Sequence, residues 1–255
     1  MKTQKIRALV GVELKKLYRD PMTLAVLLFM PVGLALVFYF ALSGITGNDY
    51  YPDPSMNHFE YLLPGVMGYA IIYMGMMVAL ALVDYRQIGL LKRVEATPVS
   101  PSEYMGSLII ANMAIAVFQA LIVLLMARIL GYEPLGGVVG LLLATVFLAL
   151  LAITAVGLGL ITAAVAKESG AASGIAMIFI VPMMIFGTLL AVFDDMTRTI
   201  AHFMPNFYVT DSLSIIFHTG SISDLAIWRN LLILAAISVV VVVVGIQLFK
   251  RNAYR

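Results

Sequence analysis

Six long blocks of uncharged, mostly apolar residues dominate the chain: 22–42, 61–83, 106–127, 136–166, 171–192 and 230–249. Each reaches or exceeds the roughly 20 residues an α-helix needs to cross the hydrocarbon core of a bilayer. The pattern predicts an all-α membrane protein with six transmembrane helices. The last block contains six consecutive valines, Val239 to Val244, which in water would favour a strand. In hydrocarbon an isolated strand leaves its backbone groups unpaired, so a helix is predicted. The connectors 131–134 and 167–170 are short enough for antiparallel hairpins. Between the first two blocks, 44–59 carries Asp49, Asp53, Pro52 and Pro54 and reads as an exposed loop. Ahead of the first block, Ile6, Leu9, Val10, Leu14 and Leu17 share one helical stripe, with Lys5, Lys15, Lys16 and Arg19 opposite. An amphipathic interfacial helix over 1–20 is therefore expected. It serves either as a lipid-facing anchor or as a docking surface for a partner. Glu13 interrupts the apolar stripe, where a carboxylate needs a partner; a salt bridge to the basic cluster near Arg86 or Arg93 is the expected one.

Charge sets the orientation. Of 16 lysines and arginines, thirteen fall on the side shared by the two termini, and only Arg128, Arg198 and Arg229 fall on the other. Basic residues are retained in the cytoplasm, so both termini are expected there, in a multi-pass protein of the cell membrane. Trp228 then sits at the outer boundary of the last span, where an amphipathic ring is favoured. Composition agrees with this picture: of 255 residues, 62% are hydrophobic and 12% charged, about half the charged share of an ordinary soluble domain. The formal charge of +2 carries no implication of nucleic-acid binding. Cysteine is absent, which excludes disulfides, thiolate nucleophiles and cysteine metal sites.

The loop after the second block, 86–101, holds the most informative pattern. Leu90, Leu91 and Val94 lie on one side of a short helix, Lys92, Arg93 and Glu95 largely on the other, and Pro98 ends it. One reading is a basic connector that only fixes topology; the other is a surface built for a partner. A carboxylate near the end of the second block, then Gly89, Leu91, Lys92, Arg93, Val94 and Thr97-Pro98-Val99-Ser100, resembles the type 2 ABC exporter permeases, the membrane subunits of ATP-binding cassette exporters. The stretch Pro205-Asn206-Phe207-Tyr208-Val209-Thr210-Asp211-Ser212-Leu213 is similar to that family's external motif before the last span. With the six-span plan, the resemblance covers nearly the whole chain as one permease domain, 1–255. It implies that Gly89 to Ser100 is a coupling helix seated in a groove on a separate ATPase subunit. Gly89, Leu91, Lys92, Arg93, Val94, Glu95, Thr97 and Pro98 would form that contact, with Glu13 of the adjoining interfacial helix. It further implies two permease copies, most simply a homodimer, and outer re-entrant helices within 193–228. Such half-crossing segments are tolerated when buried in protein.

The chemistry that is missing narrows the function. No glycine precedes a lysine, so the phosphate-cradling loop G-x-x-x-x-G-K-[ST] is absent. The resemblance implies that ATP and magnesium belong to the partner ATPase, so no cofactor is expected in this chain, and the chain is expected not to be an enzyme. His58, His202 and His218 lack metal-ligand spacing and read as hydrogen-bonded or solvated loop residues. The six span cores carry no acid, which disfavours a transporter driven by protons or sodium. Inside the spans, Tyr69, Tyr73, Met76 and Met77 on the second, and Met183, Phe186 and Thr188 on the fifth, form a soft lining for hydrophobic cargo. Ordinary packing explains the same residues. Asn112 and Gln119 read as an interhelical hydrogen-bond pair, and Gly157, Gly159 and Ala163, then Gly170, Ala171, Ser173 and Gly174, as points of close helix approach. The expected cargo is a small hydrophobic drug or lipid-like molecule. Export of a polysaccharide or lipid-linked glycan, or an ATP-independent channel or scaffold, are the alternatives.

Overall fold

A computed structural model describes residues 2–42, 58–95, 97, 99–189 and 195–253. Ten α-helices are present among them: α1 (Lys2–Arg19), α2 (Pro21–Leu42), α3 (His58–Gln87), α4 (Leu90–Glu95), α5 (Pro101–Ile129), α6 (Gly137–Val165), α7 (Ser169–Met184), α8 (Asp195–Ala201), α9 (Pro205–Ser214) and α10 (Leu225–Ala253). Six of them, α2, α3, α5, α6, α7 and α10, are long and apolar enough to cross a membrane. The predicted loop 44–59, with its aspartates and prolines, lies outside the described residues, except that His58 and Phe59 already belong to α3.

Most spans overrun the apolar blocks. The second runs from His58 to Gln87 instead of 61–83, and the last from Leu225 to Ala253 instead of 230–249. Charged residues at these ends remain helical because their flexible side chains reach the interface while the backbone keeps its hydrogen bonds. The fifth departs differently. Pro182 lies near the end of α7, and a π-helical turn, Ile185–Leu189, follows it. Proline supplies no amide to the carbonyl four residues back, and the loosened pitch that follows is a π-bulge. Residues 190–192 of the predicted block lie outside the described residues.

At the centre are α3 and α6. Of the apolar window of α3, 72% is buried, against 17% for α10 and 19% for α2, so the outer helices present Phe29, Phe40, Val239 and Val243 to lipid. The two central backbones touch: a Cβ added to Gly75 would stand 2.5 Å from the Ala155 carbonyl, and one added to Gly159 an equal distance from that of Gly75. On its other side α6 meets α10 through Gly157 and Gly245, where the hydroxyls of Thr154 and Ser238 lie 2.8 Å apart. Small residues do set these approaches, as the sequence suggests for Gly157 and Gly159. Gly170 and Gly174 on α7 have nothing within 4 Å, so these two glycines mark no close approach within this chain, while Ala171 packs against a second apolar cluster.

Two internal prolines are accommodated from outside their own helices. Pro31 in α2 leaves the Leu27 carbonyl without its helical partner, and the Gln119 Nε2 amide of α5 donates to that carbonyl. Pro64 in α3 does the same to Glu60, whose carbonyl lies 3.1 Å from His218 Nε2. The expected interhelical hydrogen bonding holds for Gln119 and is corrected for Asn112. Asn112 donates to Leu108 O of its own helix at 2.8 Å, because the stronger demand on Gln119 comes from a buried orphan carbonyl across the interface.

Candidate functional site

One end of the bundle gathers α1, α4, the α6–α7 connection and the end of α10 around a second apolar cluster containing Leu82, Val83, Leu91, Tyr104, Leu160, Ala166 and Phe249. Among the described residues most lysines and arginines lie on this basic end. Gly89 terminates α3 with φ +72°, a left-handed conformation that glycine adopts freely at a helix C-terminus. The turn is fixed by Ile88 N donating to Asp84 O at 3.0 Å and Gly89 N donating to Arg86 O at 3.1 Å. From it α4 begins, and Leu91, 2% exposed, drives into the cluster. Arg93 and Thr97 are exposed. Lys92, Val94 and Glu95 belong to α4 by backbone, but their side chains, and Pro98 altogether, lie outside the described residues.

Both flanks of this segment are fastened. Ser100 caps α5: its Oγ accepts from Glu103 N at 3.2 Å, and Glu103 Oε2 accepts from Ser100 N at 2.8 Å, with Pro101 in the first turn. This is a reciprocal capping box. On the α3 side, Arg86 donates to Ala163 O at 3.1 Å and to Ala166 O, meeting carbonyls that the end of α6 leaves open. Gln87 reaches Lys167 O at 3.4 Å, and Asp84 accepts a hydrogen bond from the Ser169 hydroxyl. The end of α3 is thus tied to the end of α6 and the start of α7. Sequence reading missed these ties. The capping box was visible as Ser100-x-x-Glu103; the Arg86 clamp had no local signal, because its acceptors lie about eighty residues away.

Beside this end, a cavity of about 440 Å³ opens between α1, α2, α3 and α5. Its deeper wall is apolar, with Leu27, Met77, Leu80 and Ile115, and its mouth carries Glu13, Lys16, Asp20, Asp84 and Tyr85. Glu13 pairs with Lys16 at 2.8 Å, which corrects the expected bridge to Arg86 or Arg93. One turn of helix brings Lys16 beside Glu13 at no cost in loop closure, while Arg86 is engaged by α6. Lys16 is accordingly half-buried on the docked face of α1, with its Nζ 4.6 Å from the centre of the Tyr85 ring, and does not lie opposite the stripe as expected. Asp20 caps α2, accepting from Thr23 N at 3.1 Å and from the Thr23 hydroxyl at 2.6 Å. The Thr23 hydroxyl, then its backbone amide, hold this carboxyl below the usual range, so it is charged.

The proposed cargo residues separate into groups. Tyr69, Tyr73 and Met77 follow one another along the half-buried face of α3, and of these Met77 reaches the cavity. Met76 turns to the junction of α3 with α6 and α7. Met183 is buried in the main core, and Phe186 packs against that core from the π-turn. Thr188 lies in the same turn, with its side chain outside the described residues.

At the opposite end, Pro205-Asn206-Phe207-Tyr208-Val209 opens α9, whose Asn206, Val209, Ser212 and Leu213 are fully buried. A Cβ on Gly68 would collide with Asn206 Oδ1, and one on Gly187 would meet Asn206 Cβ at 3.2 Å. The segment is wedged between α3 and the π-turn. Asn230 of α10 ties it down by donating to Asp211 Oδ2 at 2.8 Å and to Ser212 Oγ at 3.2 Å.

The described residues thus combine six helices apolar enough to span a membrane, the short helix α4 at the basic end and a buried segment with polar residues before the last span. The profile of one family, the ABC-2 type transporters, matches residues 4–218, most of the chain. The chain belongs to that family. It is the membrane permease of an ABC transporter, a family whose permeases associate with an ABC ATPase subunit and are generally not catalytic themselves. No curated protein matches it.

Proposed function

We propose that this permease is the membrane half of an ATP-driven exporter, working as a homodimer with two separate ATPase subunits and moving a small hydrophobic or lipid-like molecule outward. The reading puts the basic end, with thirteen of sixteen basic side chains on its side of the chain, in the cytoplasm. The segment Gly89 to Ser100 is the lever on which the ATPases act. The observation that carries this is its mounting: Leu91 is sunk in the bundle, Arg93 is exposed, and hydrogen bonds fasten the flanks to α3, α5 and α6.

A push on α4 therefore displaces three spans together and is not absorbed in slack loops. Closure of the ATPases around ATP shifts α3 and α7 between inward-open and outward-open arrangements. The internal prolines Pro31, Pro64 and Pro182 supply the points at which spans bend.

The test is to co-purify the permease with its ATPase and to reverse charge at Lys92, Arg93 and Glu95 together. The expected result is loss of association and of stimulated ATP hydrolysis. Unchanged association and stimulation would defeat the lever.

A further inference from the structure

The 440 Å³ cavity at the basic end combines three properties. Its inner wall is made of flexible aliphatic side chains, Leu27, Met77, Leu80 and Ile115, which adapt to varied apolar shapes. Its mouth holds three carboxylates, Glu13, Asp20 and Asp84, against one ammonium, Lys16; Arg86, the nearest other cation on α3, is turned to the α6 carbonyls. Finally, the Lys16 ammonium occupies a site in which Glu13 Oε1 lies 2.8 Å away and the Tyr85 ring 4.6 Å away. A carboxylate beside an aromatic face is how proteins recognise an alkylammonium, and here the protein's own lysine already sits in that position. From Asp84 to Met77 the mouth and the wall are separated by roughly 10 Å along α3, the distance between a head group and the first half of an alkyl chain.

We infer that this cavity is an inner-leaflet binding site for an amphiphile with a cationic head, an amine or quaternary ammonium bound at Glu13, Asp84 and Tyr85 in competition with Lys16, its hydrocarbon lying against Leu27, Met77 and Ile115. The inference deepens the export reading by naming the cargo class, and rests on it for the step that follows binding. The same chemistry is offered by an aminolipid of the inner leaflet and by a free cationic amphiphile dissolved in it. A neutral sterol-like or anionic molecule leaves the acidic mouth uncompensated and is selected against.

The permease is purified in dodecyl maltoside without ATPase or nucleotide. It is labelled with a diazirine-bearing dodecyltrimethylammonium or with the matching dodecyl alcohol, and the modified peptides are mapped. The cation is expected to label 13–27, 77–85 and 108–115 and the alcohol to label them at least about tenfold less. Glu13→Gln with Asp84→Asn lowers cation labelling by a similar factor. Lys16→Met raises it, because the resident ammonium is gone. Excess phosphatidylethanolamine that competes with the probe identifies a lipid source, and unchanged labelling identifies a free solute.

Equal labelling by cation and alcohol, or labelling spread evenly over the spans, overturns the inference without any variant having to fold. A fall in labelling for Lys16→Met, alongside the acid variants, overturns it too, since the ion pair would then only support the fold. Because no ATPase is present, failure here leaves the lever reading standing; intact labelling with failed ATPase association removes the lever and keeps the site.

Discussion

Gln119 offers the sharpest check on how this bundle handles its prolines. Its side chain is 2% exposed, its Nε2 donates to Leu27 O, and that carbonyl lacks a helical partner only because residue 31 is proline. Replacing Gln119 by Leu removes the hydrogen bond, about 1 kcal/mol net, and leaves a buried carbonyl unpaired, a further 1–3 kcal/mol or so. Two terms offset this. Gln119 Oε1 is itself buried without a partner, so its removal relieves one desolvated acceptor, and interhelical side-chain hydrogen bonds in membranes average only about 0.6 kcal/mol. The expected loss is therefore about 1–2 kcal/mol. In a Pro31→Ala background the new amide donates to Leu27 O from within α2, and the same Gln119→Leu change should cost less than about 0.5 kcal/mol, a coupling of about 1 kcal/mol between the sites. Unfolding in mixed micelles titrated with dodecyl sulfate measures all four corners of the cycle. If Gln119→Leu costs the same in both backgrounds, the carbonyl was not what Gln119 served, and the argument fails.

Further expectations follow from the same contacts. Gly75→Ala places a methyl 2.5 Å from Ala155 O and should cost about 1–3 kcal/mol by overpacking. Gly174→Ala, with nothing within 4 Å, should gain about 0.5–1 kcal/mol through helix propensity; thermal unfolding of the two variants should shift in opposite directions. Ser100→Ala removes half of the capping box and should cost about 1 kcal/mol, read as a lower unfolding midpoint that Ser100→Asp restores. Burial holds the imidazole of His218, at the end opposite the basic one, below its ordinary pKa of 6.5, against a smaller opposing effect of its bond to Glu60 O. The unfolded chain then binds more protons than the folded one just below that pH. Stability is full above about 6.5 and falls as pH drops, by at most about 1.4 kcal/mol per unit; His218→Gln, which keeps a donor to the Glu60 carbonyl, should flatten that limb of the stability profile. Arg86→Met cuts the tie from α3 to the end of α6. In the assembled transporter it should preserve ATPase binding and hydrolysis while lowering transport, and equal loss of all three would show that Arg86 only supports the fold.

The proposed lever and the proposed binding cavity share elements. Glu13 and Lys16 on α1 form the mouth of the cavity, Asp84 and Tyr85 belong to the same turns of α3 that end at Gly89, and Ser100 opens the helix whose Ile115 lines the wall. Displacement of α4 acts on two of the cavity's four walls, α3 and α5, directly through the backbone. Under the proposed function, ligand in the cavity and force on the lever would be linked through these two helices.

Apolar block length and the absence of charge within each block decide that there are six spanning helices, because in hydrocarbon no other isolated backbone arrangement satisfies its own hydrogen bonds. The short helix after α3 was likewise legible in the alternation of Leu90, Leu91 and Val94 with Lys92, Arg93 and Glu95. These features depend on interactions within a few residues or with the solvent. Tertiary structure alone decided which carbonyl Gln119 and His218 serve, that Arg86 reaches α6 in place of Glu13, that Gly157 and Gly159 are packed while Gly170 and Gly174 are not, and that a cavity lies behind α1. Each of these is a choice among partners far apart in sequence, and in a chain so uniformly apolar many faces are equally acceptable to lipid. The few buried polar atoms and the backbone contacts that only glycine permits select one packing from that set, and they act only once the helices have met.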